Sequence, residues 1–524
     1  MNLNEITIYL QENIEKIDED VNIMNEILQS TLLDCDENSS MNSSVTTETD
    51  IDDSEEYIYD KYEKWVSTLP KDILLELENV TYDMIDDYIN YEVLSMSSPS
   101  FHDDLVYEIS LLLHQQLKEI DIYNCKNENV DEIQTFVKQI SETYFENGDI
   151  PPRSFETTLI LQSPDINEMK SKIDNLRNVY QPKQKTLEWY EYRHGLITAS
   201  NIWKIFKNEN NQNSIICEKC RPFVSYENSY VNVSSSLHWG VKYEPLSAML
   251  YEYKYNTIIE DFGCIKHPKY HFIGASPDGI NIDTNSDRYG RMIEIKNIVN
   301  RSITLTPKEE YWIQMQVQME TCDLDECDFI ETRFKEYENE DLFYSTDTNP
   351  EFRGIILYFI EKRKEYTNIN MDMNVFKSSA SVSSGSTPFY KYMPLTVPVT
   401  DKVQIDEWIN TTVEELKNTH ILQKPIYWYL DEFSCILVKR NKKWFEKALP
   451  KIEETWKIIE KEKLEGFEHR IPKKKNKTEV IHSNLEEIIQ NDIKQSMENQ
   501  QKTFIKNLPQ LNNINVIKLQ HELS

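Results

Sequence analysis

The sequence lacks the features that would place it in a membrane or an oxidising compartment. No apolar run reaches eighteen residues, so no membrane-spanning helix is expected. Met1 to Gln11 has neither a basic n-region nor a long apolar core, so no secretory signal is expected there. The eight cysteines follow no regular spacing along 524 residues, which fits a reducing environment rather than a disulfide framework. Cys217-Glu218-Lys219-Cys220 is a lone CxxC with no second pair at zinc-ribbon spacing. Cys322 and Cys327 come much later, and no structural zinc is expected. Glycine is scarce at 10 residues, whereas Asn, Ile, Lys and Tyr are plentiful, as in AT-rich coding DNA. A soluble, intracellular protein is the expectation.

An excess of basic residues is missing too. The net charge is −34, but it is unevenly spread. Residues 1–180 carry −29, residues 181–340 carry −6 and the remainder +1. Nucleic-acid binding by the later part would therefore lean on a local basic channel and a bound cation, not on a global positive field.

The length predicts two or three domains. Residues 1–33 have the apolar spacing of an amphipathic helix, and 34–56 read as an acidic, disordered linker. An acidic helical domain is expected over 57–180. Residues 181–465 alternate strand and helix patterns, the mark of an α/β domain with a mixed sheet. Strands are expected at Thr257–Phe262, His271–Gly274, Arg291–Ile298, Asp328–Arg333 and Gly354–Phe359. Helices are expected near Ile202, Glu244 and Gln314, and over Trp444–Glu462. A Ser-rich loop at 378–386 interrupts the domain late. The tail, 466–524, begins with the basic run Lys473–Lys477 and becomes Asn/Gln-rich.

Within the α/β domain, Ser276-Pro277-Asp278-Gly279 is followed by Glu294-Ile295-Lys296. On a strand, Glu294 and Lys296 point to one face and Ile293 and Ile295 to the other. Two carboxylates and the backbone carbonyl of Ile295 suit a hard cation that takes oxygen ligands. A neighbouring lysine can orient or deprotonate a water and offset charge on a phosphate. The set points to metal-dependent phosphodiester hydrolysis.

The flanks extend the pattern. Tyr192-Arg193-His194-Gly195-Leu196-Ile197-Thr198-Ala199-Ser200 and His238-Trp239-Gly240-Val241-Lys242-Tyr243-Glu244 precede it. Tyr311-Trp312-Ile313-Gln314-Met315-Gln316-Val317-Gln318 and Gly354–Phe359 follow. In this order the motifs resemble the YqaJ-type viral recombinases, relatives of the bacteriophage lambda exonuclease within the PD-(D/E)XK nuclease superfamily. The resemblance covers residues 183–465, and with the composition it points to a large DNA virus. A viral protein would work in the host cytoplasm or nucleus, or travel in the virion.

The resemblance implies a restriction-endonuclease-like core binding Mg²⁺ or Mn²⁺ and double-stranded DNA ends. Asp278, Glu294 and Lys296 match the family's catalytic set, and Glu244 matches an upstream acid that joins the metal. Gln314 matches a helix glutamine beside the active centre; Gln318 and Tyr311 share its helix face, and Gln316 points away. Arg193, Ser200 and Ser276 match residues resembling a 5′-phosphate pocket, a task that suits an arginine fork and two hydroxyls. Ser200 equally suits capping a helix near Asn201. Pro245, directly after Glu244, departs from a regular helix unless it sits in a first turn or at a kink. His194 and His238 have no metal-ligand spacing and are expected to be structural.

The expected activity is 5′-strand resection of linear duplex in recombination or repair. The alternatives are a site-cutting endonuclease of the same fold and a non-catalytic DNA-binding scaffold. A single-strand annealing or replication partner at the acidic N-terminal region, and a homo-oligomer, are further expectations.

Overall fold

A computed structural model describes residues 69, 71–119, 130–155, 165–224, 232–345, 350–362 and 388–471. The segments 1–33 and 34–56, the Ser-rich loop at 378–386, the basic run Lys473–Lys477 and the remaining tail lie outside the described residues.

The described residues fall into two compact units. The first takes its described parts from 1–91 and 103–147, and the second takes 92–102 and 148–471. Three helices build the first: α1 (Lys71–Tyr91), α2 (Phe101–Glu119, from Asp103 onward) and α3 (Val130–Asn147). In α1, Leu74, Leu77, Thr81, Ile85 and Tyr88 repeat at three- and four-residue intervals, which puts all of them on one buried stripe. Tyr144 of α3 donates a hydrogen bond to Asp86 of α1 at 2.7 Å, and its ring lies 4.9 Å from that of Tyr82.

The second unit carries α4 (Ile166–Asn178), α5 (Leu187–His194), α6 (Ala199–Ile202), α7 (Glu209–Cys220), α8 (Ser236–Tyr255), α9 (Glu309–Cys322), α10 (Glu340–Ser345), α11 (Lys402–Leu416) and α12 (Lys442–Glu465). Its strands are β1 (Ile197–Thr198), β2 (Ile259–Glu260), β3 (Ile265–Lys266), β4 (Ile273–Ala275), β5 (Gly279–Asn281), β6 (Met292–Asn297), β7 (Glu326–Glu336), β8 (Arg353–Glu361), β9 (Pro388–Tyr392) and β10 (His420–Lys439). Seven form a mixed sheet ordered β2-β5-β6-β7-β10-β8-β9, in which β6 and β7 alone run parallel. The β1, β4 and β3 strands form a smaller sheet. Helices flank the mixed sheet, so the unit has the α/β architecture that the sequence pattern predicts. Among the described residues no helix is long and apolar enough to cross a membrane.

The β6–β7 pair is the buried centre. Met292, Ile293, Glu294 and Ile295 are all buried, as expected of a parallel pair covered on both faces. Tyr251 of α8 packs on Ile293, Ile295 and Ile330, while α9 covers the opposite face through its glutamines. The predicted strands at 257–262 and 271–274 shorten to two and three residues. The elements at 291–298, 328–333, 354–359 and 444–462 fall within β6, β7, β8 and α12, or within a residue of them.

Segment 92–102 enters the second unit through a 3₁₀ turn, Val93–Ser97. Trp444 of α12 donates its indole N–H to the Leu94 carbonyl at 3.3 Å, and Asn441 meets the Met96 sulfur at 3.1 Å. Buried Arg153 donates to the Ser97 carbonyl at 3.1 Å.

Candidate functional site

The β5–β6 hairpin positions the central residues. Gly279 pairs with Ile293, so continuing the antiparallel register places Asp278 beside Glu294. The Ile295 N–H donates to Asp278 Oδ2 at 2.8 Å. Gly279 follows the aspartate because the Ile259 side chain of β2 fills its Cβ space: a Cβ there would lie 2.1 Å from Ile259 Cγ2. At the far end of the hairpin, Gly290 takes the left-handed region at φ +79°.

Glu294 is 1% exposed and gathers three donors. Oε1 accepts from the Lys296 ammonium and from Gln314 Nε2 at 2.8 Å; Oε2 accepts from Gln318 Nε2 at 2.9 Å. Gln314 and Gln318 reach one carboxylate because they stand one turn apart on α9. Gln316 points away, accepting from the Asn441 N–H at 2.7 Å and donating to the Lys439 carbonyl at 2.9 Å.

Burial pushes the Asp278 carboxyl well above the usual carboxylate range, and the Glu294 carboxylate beside it adds to the rise. Burial alone would lower the Lys296 ammonium, but Glu294 and Asp278 outweigh it and hold the lysine protonated. Its Nζ also lies 5.0 Å from the Tyr311 ring centroid. Two carboxylates forced together out of water are the condition that a divalent cation relieves, and the donor set is all oxygen. Asp278, Glu294 and the Ile295 carbonyl therefore fit a hard divalent ion.

Glu244 is placed differently. It lies on α8, next to a proline at the helix's tenth position, and its Oε1 accepts from Lys185 Nζ at 2.8 Å. Among the described residues, no three His, Cys, Asp or Glu side chains form a metal-ligand group. Lys185 has a left-handed backbone, φ 65°, unusual for a residue with a side chain.

Arg193, Ser200 and Ser276 do converge. Arg193, the penultimate residue of α5, donates to Ser200 Oγ at 3.0 Å and to Ser276 Oγ at 3.4 Å. Its guanidinium lies 4.1 Å from the Trp189 ring, and the Trp189 indole N–H donates to Ser276 Oγ at 3.2 Å. Burial pushes the Arg193 pKa down, against the pull of nearby acidic groups that include Asp278. Ser200 lies inside the first turn of α6 and Thr198 takes the cap position, so the Ser200 hydroxyl turns to Arg193 and to the Thr198 hydroxyl at 3.3 Å. Gln318 joins this group to the carboxylates: its Nε2 also reaches the Ser276 carbonyl at 3.2 Å.

Sequence reasoning placed Gln318 on the face of Gln314 without giving it a role, and passed over Lys185 and Trp189. Gln318 is the i+4 partner of Gln314, and Trp189 was visible as an aromatic one turn before Arg193. Lys185 had no signal, because its role depends on a backbone conformation. His238 meets the Tyr390 hydroxyl at 2.6 Å, and Cys217 and Cys220 lie on α7, where the Cys220 thiol faces the Ile459 carbonyl at 3.7 Å.

Residues 188–325 match the model of the YqaJ-like viral recombinase domain. The chain carries a YqaJ-like viral recombinase domain. Arg193, Ser200, Glu244, Ser276, Asp278, Glu294, Lys296 and Gln314 all fall inside the matched YqaJ-like residues. Within the matched residues Asp278, directly before β5, stands beside Glu294 and Lys296 of the neighbouring strand β6.

An uncharacterized protein of Acanthamoeba polyphaga mimivirus is 28% identical over 318 residues, 55% of this chain and 54% of that protein. The chain thus spans about half the length of this relative, which comes from a large DNA virus as the composition leads one to expect. Among solved structures, the alkaline exonuclease LHK-Exo of Laribacter hongkongensis is 17% identical, covering 53% of this chain and 94% of its own, with a TM-score of 0.29. The same protein in complex with dAMP gives a TM-score of 0.28.

Proposed function

We propose that the chain is a divalent-metal-dependent DNA exonuclease that trims the 5′ strand from linear duplex ends in recombination or repair. The carrying observation is the junction made by Gln318, which links the Asp278–Glu294–Lys296 group to the Arg193–Ser200–Ser276 group. One group suits phosphodiester hydrolysis and the other suits a terminal phosphate, which favours end-dependent cutting.

In this reading, Asp278, Glu294 and the Ile295 carbonyl hold Mg²⁺ or Mn²⁺, with Glu244 as a further ligand. The ion would supply Lewis-acid polarisation of the phosphate and a water of lowered pKa. Lys296, held protonated, acts as a donor that orients the attacking water and offsets charge on the scissile phosphate. Gln314 and Gln318 keep the Glu294 carboxylate aimed. Arg193 grips the 5′ phosphate, with Ser200 and Ser276 as hydroxyl partners. The acidic helical unit repels phosphate, so its partner is a protein with a basic face, such as a single-strand annealing protein.

The test is digestion of end-labelled linear duplex by the full chain in Mg²⁺ or EDTA, beside covalently closed circular duplex. Progressive, EDTA-sensitive loss of the 5′ strand, with circles untouched, is expected. Lys296→Ala and Asp278→Asn should each lower the rate by about 100-fold or more. Cutting of closed circles would replace this reading with an endonuclease. Full activity in either variant would sink the assigned site.

A further inference from the structure

Pro245 lies in the interior of α8 beside Glu244, and it leaves a gap in the helix. It has no N–H, so the Val241 carbonyl loses its partner one turn later. The carbonyls on either side of Val241 are taken from outside the helix. Asn297 Nδ2 donates to the Gly240 carbonyl at 3.2 Å, and the Tyr392 hydroxyl donates to the Lys242 carbonyl at 2.6 Å. Side chains from β6 and β9 thus add donors on both sides of the gap.

Asn297 does more than fill a gap. Its Oδ1 accepts from Ser247 Oγ at 2.8 Å and from Thr332 Oγ1 at 2.7 Å, both fully buried residues. The amide orientation is set by chemistry, since a backbone carbonyl can only accept and so must face the Nδ2 donor. On α8, Gly240, Glu244, Ser247 and Tyr251 follow the i, i+4, i+7, i+11 stripe that faces the sheet. Asn297 holds this stripe four residues before Glu244 and three after it, from the strand position next to Lys296. The clamp therefore brackets the one carboxylate that Asp278 and Glu294 do not hold themselves.

We propose that Asn297 is a positioning residue: it locks the proline-interrupted helix α8 onto β6 so that Glu244 is delivered to the Asp278–Glu294 pair. This rests on the reading of those carboxylates as a metal site.

The experiment is Mn²⁺ binding to the full chain, read from the paramagnetic resonance of the free ion and so independent of turnover. Asn297→Ala should bind about 10-fold or more weakly than wild type, the usual effect of losing a group that orients a ligand. Combining Asn297→Ala with Glu244→Gln should weaken binding no further than Glu244→Gln alone, because both changes remove the same ligand. Pro245→Ala, which returns the missing N–H, should recover affinity in the Asn297→Ala background. Should Asn297→Ala fail to fold, Ser247→Ala removes one clamp donor with little loss of packing, and a smaller loss of affinity is expected.

Unchanged affinity in Asn297→Ala, or losses that add to those of Glu244→Gln, would overturn the clamp; a merely structural residue would change the melting temperature alone. A wild type that binds no Mn²⁺ overturns the metal reading itself, and with it this proposal. The two failures are told apart by the wild-type measurement.

Discussion

Glu294 is a buried carboxylate surrounded by donors, and the donors differ in what their loss should do. Gln318 reaches both Glu294 and the Ser276 carbonyl, whereas Gln316 holds the backbone at Lys439 and Asn441. Gln318→Ala is therefore expected to lower the rate of DNA hydrolysis by 10-fold or more with a small change in melting temperature. Gln316→Ala should do the reverse, costing about 1–3 kcal/mol of stability for unpaired buried groups while sparing the rate per folded molecule. Parallel melting and single-turnover digestion would show it, and equal effects on both readouts would refute the division. Helical spacing made this difference readable in outline, because 314 and 318 share a face that 316 does not. It could not show that one carboxylate would take both amides, since that depends on how α9 lies against β6.

His267 offers a pH test. It is buried, its Nδ1 accepts the backbone N–H groups of Lys269 and Tyr270 at 3.1 Å each, and its pKa is pushed down to about 4 by burial and then by nearby Arg440. The folded protein thus keeps His267 neutral where the unfolded chain, titrating near 6.5, binds a proton. Stability from this residue is complete above pH 6.5 and falls as the pH drops toward 4. The slope is up to about 1.4 kcal/mol per pH unit, or about 2 kcal/mol between pH 7 and pH 5. Urea unfolding at those two pH values should show the loss, and His267→Gln should reduce it. An identical pH dependence in the variant would refute the assignment.

At the scale of elements, the β5–β6 hairpin carries the chemistry and its turn carries a constraint. Gly290 has φ +79°, and a Cβ there would meet the Met169 sulfur at 2.1 Å. Gly290→Ala should cost about 1–3 kcal/mol, mostly from the left-handed backbone, because the Met169 side chain can move aside. Denaturant unfolding tests this, and a neutral result would mean that the turn can be rebuilt without strain. The strand pattern around Glu294 and Lys296 was legible because apolar and charged residues alternate there. The short strands β2 and β4 were legible only as regions, since their limits are set by their partners in the sheets. Pro245 shows the same limit: composition marked it as out of place, but the Asn297 and Tyr392 donors that accommodate it come from distant strands.

At the scale of the whole molecule, residues 92–102 belong to the second unit although the residues on both sides belong to the first. Charge composition could not reveal this, because the segment's partners lie about 350 residues later, at Asn441 and Trp444. A fragment beginning at residue 181 would lose this segment and Arg153 together. It is expected to melt well below the full chain, or to aggregate, and Met96→Ala in the full chain should cost about 2–5 kcal/mol. Thermal unfolding of the two chains decides it, and equal melting temperatures would refute the dependence.

The threading also bears on synthesis. The ribosome makes residues 92–102 early, but the helix that receives them, α12, is among the last described elements to emerge. Until then Met96 and its neighbours lack the cover that Asn441 and Trp444 give them, and the unit cannot close fully as its parts appear. Contacts this far apart in sequence fold slowly. The nascent chain must therefore carry the apolar surface of Met96 unsealed through most of its own translation.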